Sequence, residues 1–253
     1  MKTVLTLFAA ILTAAILTAQ APLEFEVASL KPAAPGQRGG IIRPMPGNQR
    51  YVGTNVPLRL LMTVAYSVTD RQISGGPTWI ATDTFDIDAK AARPGSIDDL
   101  HVMLQHLLEE RFHLKLRRET KEQPVWELTV DKGGPKLQEH DASDRNYPPI
   151  QGSPRGIQGT NVTMDYFAFF LSRIIDRAVI DKTGLTARYD VKLEFARERP
   201  RAAEGGAVPE APANDDGPTI FTALREQLGL KLASAKGPVE FLVVERAEKP
   251  SEN

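Results

Sequence analysis

Four histidines, His101, His106, His113 and His140, are the first residues to test for chemistry. A zinc hydrolase of the His-Glu-x-x-His type needs two of them at i and i+4 on one helix face. His101 and His106 stand five apart, which puts them on different faces of a helix. The chain has no His-Glu-x-x-His and no cysteine, so zincin, thiolate-metal and disulfide chemistry have no footing. Acyl transfer by serine needs a Gly-x-Ser-x-Gly elbow or a Ser-x-x-Lys pair, and neither occurs. Asp86 and Asp88 are two apart and share one face of a strand, which reads as a solvated acidic face. Recognition fits better. Trp79 follows a Gly-Gly-Pro turn, and Tyr66 stands close to Arg71. Aromatic and arginine side chains dominate binding hot spots, so Tyr66, Arg71 and Trp79 are the candidate ligand-binding residues. The competing use is packing of the Trp79 turn onto a sheet. No catalytic residue, metal ligand or cofactor is expected.

One further motif needs weighing. Asp181-Lys182-Thr183-Gly184 spells the phosphorylated-aspartate motif of cation-pumping ATPases. Leu185 stands where that motif wants threonine, and no nucleotide domain accompanies it. Lys182-Thr183-Gly184 also matches one β-lactamase element, but that chemistry requires the missing Ser-x-x-Lys. A polar turn ahead of a strand is the expected role.

The elements that would position these residues come in two sets. Gly53-Thr54-Asn55-Val56 recurs letter for letter as Gly159-Thr160-Asn161-Val162. Leu58, Leu61, Ala65 and Val68 follow the first copy at helical spacing, and Met164, Phe167, Leu171 and Ile174 follow the second. Alternating strands come next, at 85–89 and 189–193. A second helix follows in each half. Ser96-Ile97-Asp98-Asp99 has the form of a capping box ahead of Leu100, Leu104, Leu107 and Leu108. Pro218 and Thr219 open the other helix, which carries Phe221, Leu224 and Leu228 and stops at Gly229. Each half is expected to close with two strands, 112–116 and 124–130 in one, 228–232 and 238–244 in the other, with a proline beginning each last strand. The expected fold is α+β: two pseudo-symmetric lobes from an internal duplication, each with two helices on a small mixed sheet.

Around these halves the organisation reads as follows. Residues 1–21 form a signal peptide: Lys2, an uncharged apolar run from Val4 to Leu17, and Ala19-Gln20-Ala21 as the cleavage site. The first lobe spans 22–131, a linker 132–156, the second lobe 157–247, and a tail 248–253. Within the first lobe, 23–30 reads as an opening strand and 31–48, rich in proline and glycine, as a loop. An Ala-, Pro-, Gly- and Glu-rich stretch at 196–217 reads as a disordered insertion in the second lobe. The formal net charge of −1 gives no basis for a nucleic-acid partner.

Several of these stretches carry a resemblance. Phe25-Glu26-Val27-Ala28-Ser29-Leu30-Lys31-Pro32, Gly76-Pro77-Thr78-Trp79, Asp181-Lys182-Thr183-Gly184-Leu185 and the tail Glu248-Lys249-Pro250-Ser251-Glu252-Asn253 together resemble a family of exported, soil-associated proteins expanded in acidobacteria, domain of unknown function 3738. Each half also resembles the short N-terminal domain of secretins and TonB-dependent receptors, which bind other proteins. The resemblance implies export and protein contact, and no established activity.

The sequence favours binding over catalysis. The expected function is a non-catalytic interaction module, periplasmic or secreted. Its partner would be an envelope or periplasmic protein, with no transmembrane segment left after signal cleavage. A small-ligand sensor using a cleft between the lobes is the second reading, and a hydrolase with a site assembled across the lobes the third.

Overall fold

The protein was analysed as a computed structural model, which describes residues 23–36, 39–140, 150–153, 155–175, 177–196 and 217–250. The expected signal peptide, nearly all of the 196–217 insertion, residues 141–149 of the linker and the last three residues of the tail lie outside the described residues.

The chain is α+β. It opens with β1 (Phe25–Pro32), β2 (Ile41–Pro44) and β3 (Arg50–Pro57), then α1 (Leu58–Ala65). A 3-10 turn at Asp70–Gln72 leads into β4 (Ile73–Gly75), α2 (Trp79–Thr82), β5 (Thr84–Ala91), α3 (Ile97–Phe112) and the long β6 (Lys115–Val130). After it come β7 (Gln138–Glu139), β8 (Ile150–Ser153), β9 (Gly156–Val162), α4 (Met164–Ser172), β10 (Val179–Asp181), β11 (Tyr189–Glu194), α5 (Ile220–Leu228) and the long β12 (Leu230–Arg246).

Three four-stranded sheets result, in the orders β1-β5-β3-β2, β7-β11-β9-β8 and β10-β6-β12-β4. The first two match strand for strand, and every neighbouring pair in both is antiparallel. The repeated Gly-Thr-Asn-Val has a structural reason. In each copy it forms a β-bulge: Gly53 and Val56 pair with Ile87 and Phe85, and Gly159 and Val162 pair with Val191 and Tyr189. Two residues on the bulged strand therefore oppose one on its partner, an aspartate in both sheets. The asparagines take left-handed conformations, φ 55° at Asn55 and 57° at Asn161, which asparagine tolerates better than most residues. The Asn55 N–H, turned out of the ladder, donates to Asp86 Oδ1 at 2.9 Å, and the Asn161 N–H to Asp190 Oδ1 at 3.2 Å. Asp86 thus caps a bulge, and Asp88 is ion-paired with Arg50. Both acids serve the fold, where the alternation alone suggested a merely solvated face.

The helices begin where capping chemistry places them. Ser96 Oγ accepts from the Asp99 N–H at 3.0 Å, and Asp99 Oδ2 accepts from the Ser96 N–H at 2.8 Å. Thr163 and Thr219 cap α4 and α5 in the same way, accepting from Tyr166 and Thr222. Gly229 ends α5 at φ 65°, where an added Cβ would lie 2.1 Å from the Gly134 carbonyl oxygen. Leu58, Leu61, Ala65 and Val68 are all buried, as are Met164, Phe167 and Leu171. Ile174 is 41% exposed because α4 ends at Ser172, two residues before it.

Two expectations change. The loop at 31–48 contains β2, whose Ile41 and Ile42 pair with Thr54 and Gly53. The two closing strands of each half are one continuous strand, β6 or β12, and these two pair along nearly their whole length. Pro124 and Pro238 sit in mid-strand instead of beginning new strands. Each lies outside the stretches paired with β10 (Trp126–Leu128) or β4 (Leu242–Val244). The sheet is only two strands wide there, and an open edge tolerates a missing N–H. Leu114, Leu242 and Val244 join one apolar core with α1, α3 and β5, and Leu128 and Leu230 join another with α4, α5 and β11. A third, smaller cluster gathers Tyr51, Ala91, Ile97, Leu100 and Met103.

Candidate functional site

A cleft of about 840 Å³ opens where the two cores meet, over the middle of the β6–β12 ribbon. That volume lies in the range of small-molecule sites. One wall is α1 and the turn after it, including Arg59, Thr63, Asp70 and Arg71. The other is the end of α4 and the approach to β10, including Ser172, Arg173, Ile175 and Arg177. Gln123 and Pro124 of β6 and Val239 and Phe241 of β12 also line it.

The sequence fixes both walls locally. The turn at 70–72 is a capping box: Gln72 Oε1 accepts from the Thr69 N–H at 2.9 Å and from its hydroxyl at 2.8 Å. Gln72 Nε2 then donates to the Glu240 carbonyl at 2.9 Å, stapling the turn to β12. Arg59 closes the same turn from α1. Its guanidinium bonds the Asp70 carboxylate and donates to the carbonyls of Asp70 at 2.9 Å and Ile73 at 2.8 Å. On the opposite wall the Ser172 hydroxyl donates to the Ala168 carbonyl at 2.9 Å and accepts from the Val179 N–H at 2.8 Å, tying the end of α4 to β10. Arg177 lies 5.0 Å from the centre of the Trp126 ring and donates to Ser234 Oγ at 3.3 Å. Arg173 lies 5.9 Å from the Phe169 ring. Arg59 is therefore held by backbone carbonyls, and Arg173 and Arg177 lie against aromatic faces.

Among the described lining residues there are four arginines, Arg59, Arg71, Arg173 and Arg177, and one carboxylate, Asp70, already bonded to Arg59. A guanidinium stays protonated in proteins and offers a planar fork of donors matched to carboxylate or phosphate. It holds anions well and accepts no proton. The groups with displaced pKa values lie away from the cleft. Burial pushes His101 down to about 4, and burial with Glu109 close by pushes the Tyr66 phenol up. Hydrogen bonds from Lys249, Arg50, Lys121 and Arg246 hold Asp83, Asp88, Glu119 and Glu248 low. Among the described residues no cluster of three or more histidines and carboxylates suits a metal.

Of the three recognition residues, Arg71 lines the cleft and the other two do not. Trp79 opens α2 and packs inward, 6.1 Å from Phe112 in a stacked arrangement and 6.3 Å from Phe85 edge-on. Tyr66 caps α1, with Arg118 5.6 Å from its ring and Glu109 Oε1 3.5 Å from its hydroxyl. The histidines are separately engaged: His101 beside Ser67, His106 Nδ1 on the Leu23 carbonyl, His113 near Glu248, and His140 Nδ1 on Asp190. Asp181, Thr183 and Gly184 form the expected polar turn, with Asp181 Oδ1 accepting from the Thr183 N–H at 2.9 Å. Sequence reasoning did not pick out Arg59, Arg173 or Arg177. A signal for Arg177 was present: Asp70-Arg71 recurs as Asp176-Arg177 at the same offset as Gly-Thr-Asn-Val.

No helix among the described residues is long and apolar enough to cross a membrane. The family described as Protein of unknown function (DUF3738) matches residues 59–247, a span that contains every cleft residue except Pro57. Neither a curated protein nor a solved structure matches the chain.

Proposed function

Since the chain belongs to the DUF3738 family, which carries no assigned activity, we propose a function from its cleft: a non-catalytic binding module of the cell envelope. The observation that carries this is the composition of the cleft among the described residues, with four guanidiniums and one carboxylate that is bonded to Arg59. Guanidiniums bind and orient negative charge and take up no proton, and the one carboxylate among the described lining residues is bonded to Arg59. That sets the hydrolase reading behind the binding reading.

The finer parts of the proposal rest on the sequence together with the pairing. The duplication into two pseudo-symmetric lobes is supported by the two sheets of like order and by the bulge that each copy of Gly-Thr-Asn-Val makes. Export to the periplasm or beyond is supported by Lys2, the apolar run to Leu17 and Ala19-Gln20-Ala21. The acidobacterial and envelope setting, and contact with an envelope protein, follow from the family resemblance and from the likeness of each half to the short domain of secretins and TonB-dependent receptors. The small-ligand sensor remains the second reading, favoured by the cleft volume.

Capture from native envelope with the mature protein tests this. One stoichiometric partner, lost when Arg71 and Arg173 are both replaced by glutamate, is the expected result. Capture that the double variant leaves unchanged, or turnover of ester, phosphate or glycoside substrates by the purified protein, overturns it.

A further inference from the structure

An edge strand presents unpaired N–H and C=O groups to any other strand that fits it. Most edges among the described residues are short. β4 and β10 have three residues, β7 has two, and β2 and β8 have four. The open stretches of β6 and β12 are interrupted by Pro124 and Pro238 and carry the charges of Lys121, Glu122, Lys236 and Glu240. Short length, proline and charge all discourage pairing with another chain. β1 differs. It has eight residues, pairs with β5 on one side only among the described residues, and carries its proline, Pro32, at the last position.

The register shows which backbone groups of β1 are free. The Ala33 N–H donates to the Thr84 carbonyl at 2.9 Å, and the pairing runs back from there as Lys31 with Asp86, Ser29 with Asp88 and Val27 with Lys90. Bonded and unbonded pairs alternate in an antiparallel ladder, so Lys31, Ser29 and Val27 turn their backbone groups toward β5. Ala28 and Leu30 turn theirs to the open edge. The side chains of Ala28 and Leu30 pack on the core beneath, while Val27 is 63% exposed on the other face. Glu24 and Glu26 stand exposed at the start of the strand and Lys31 at its end.

This charge pattern is self-complementary in one sense only. A parallel neighbour of the same sequence sets like charge beside like. An antiparallel one sets Glu24 and Glu26 toward the partner's Lys31, and does so twice about a twofold axis. We propose that β1 docks antiparallel on β1 of a second copy of this chain, joining two β1-β5-β3-β2 sheets into one. Ala28 opposite the partner's Leu30, and Leu30 opposite the partner's Ala28, exchange both backbone bonds in each pair. Ser29 then faces the partner's Ser29 at the axis, and Val27 lies along the aliphatic stem of the partner's Lys31. β1 contributes no residue to the cleft, so this pairing and the binding reading stand or fall separately.

Sedimentation of the mature protein over a concentration series tests this, together with cysteine cross-linking. The wild type is expected to form a dimer. Ala28→Pro removes a donor that makes no bond within the chain, so the fold is expected to stand and the dimer to be lost. Glu24→Lys with Glu26→Lys changes only exposed side chains and guards against a folding defect in the proline variant. It sets like charge against the partner's Lys31 and is expected to raise the dimer Kd at least about tenfold. The chain has no cysteine of its own, so Ser29→Cys reports the register. Facing residues of an unbonded antiparallel pair have Cα atoms about 4.5 Å apart, within reach of a disulfide, and rapid oxidation to a covalent dimer is expected. Thr82→Cys, exposed on α2, is expected to cross-link far more slowly. A wild type that stays monomeric up to about 0.1 mM overturns the inference, as does a monomer that instead binds a foreign extended segment along β1. A dimer that keeps its affinity in the Glu24→Lys, Glu26→Lys variant, or Thr82→Cys cross-linking as fast as Ser29→Cys, overturns it too.

Discussion

His101 is 6% exposed, lies 6.3 Å ring to ring from Tyr51, and has its Nδ1 3.4 Å from Ser67 Oγ. Burial pushes its pKa from 6.5 down to about 4, because a charged imidazolium is poorly solvated there. The folded value lies below the unfolded one, so between pH 6.5 and 4 the proton binds the unfolded chain and not the folded one. Stability from this residue is therefore fully present above pH 6.5, and is lost progressively as pH falls toward 4. With about 1.4 kcal/mol per unit, the loss is about 2 kcal/mol at pH 5 and about 3 kcal/mol once pH reaches 4. For a chain of this size, about 2 kcal/mol at pH 5 corresponds to a fall in Tm of roughly 4–8 °C. The assay is urea unfolding of wild type and His101→Gln at pH 7.5, 6, 5 and 4.5. Glutamine keeps a polar side chain of similar size and does not titrate in this range. The variant is expected to be less stable at pH 7.5, and the gap is expected to close as pH falls, by about 2 kcal/mol at pH 5. Carboxylates such as Asp88 and Glu119 titrate in both proteins and cancel in the difference. Two stability curves that run parallel from pH 7.5 to 4.5 would refute the assignment of His101 as a buried neutral histidine.

Other perturbations test the local reasoning. Asn55→Ala is expected to cost about 1–2 kcal/mol by placing a Cβ-bearing residue at φ 55° without the bond from Nδ2 to the Gly39 carbonyl; Asn55→Gly is expected to cost less, and thermal melts of the pair show the order. Ser96→Ala removes the α3 capping box and is expected to cost about 1 kcal/mol in chemical denaturation. Gly229→Ala adds a Cβ 2.1 Å from the Gly134 oxygen at φ 65°, so a loss above about 2 kcal/mol is expected, read as poor yield or a Tm well below wild type. The Ala196 N–H donates to the Pro218 carbonyl at 2.9 Å, so the two ends of the 197–216 segment already meet. Replacing 201–215 by a short Gly-Ser bridge is expected to leave stability within about 1 kcal/mol, since loop closure changes by only about 0.6 kcal/mol per doubling of length.

Much of the fold was legible because its signals are local. The Ser96 box, the Thr163 and Thr219 caps, the Gly229 stop and the alternation in β5 and β11 each depend on residues within a few positions. The continuity of β6 and β12 was not legible. A proline after a charged stretch reads as a strand start, and only the 16- and 17-residue partners running side by side show why Pro124 and Pro238 are tolerated in mid-strand. β2 was missed for a similar reason: four residues between glycines and prolines carry little propensity, and pairing with β3 decides.

The recurrence of Gly-Thr-Asn-Val marked the architecture but not the site, and the difference lies in sequence distance. The bulge joins Asn55 to Asp86 and Asn161 to Asp190, each within one half, so the repeat and its consequence stay together. The cleft exists only because β6 pairs with β12, and β4 and β10 flank that ribbon from opposite edges. Arg71 and Arg177 line one cleft although more than a hundred positions separate them in the chain. Nothing near either arginine announces the other except the shared Asp-Arg pair. Trp79 shows the converse. Of its two readings, ligand recognition and packing of its turn onto a sheet, the second is the one met, because Phe85 and Phe112 supply an apolar face that draws the ring inward. Gly76 permits that approach, since a Cβ there would lie 2.9 Å from both Ile80 Cδ1 and Val244 Cγ1. In this chain composition picks out the residues able to recognise a ligand, and the strand pairing decides which of them face the cleft.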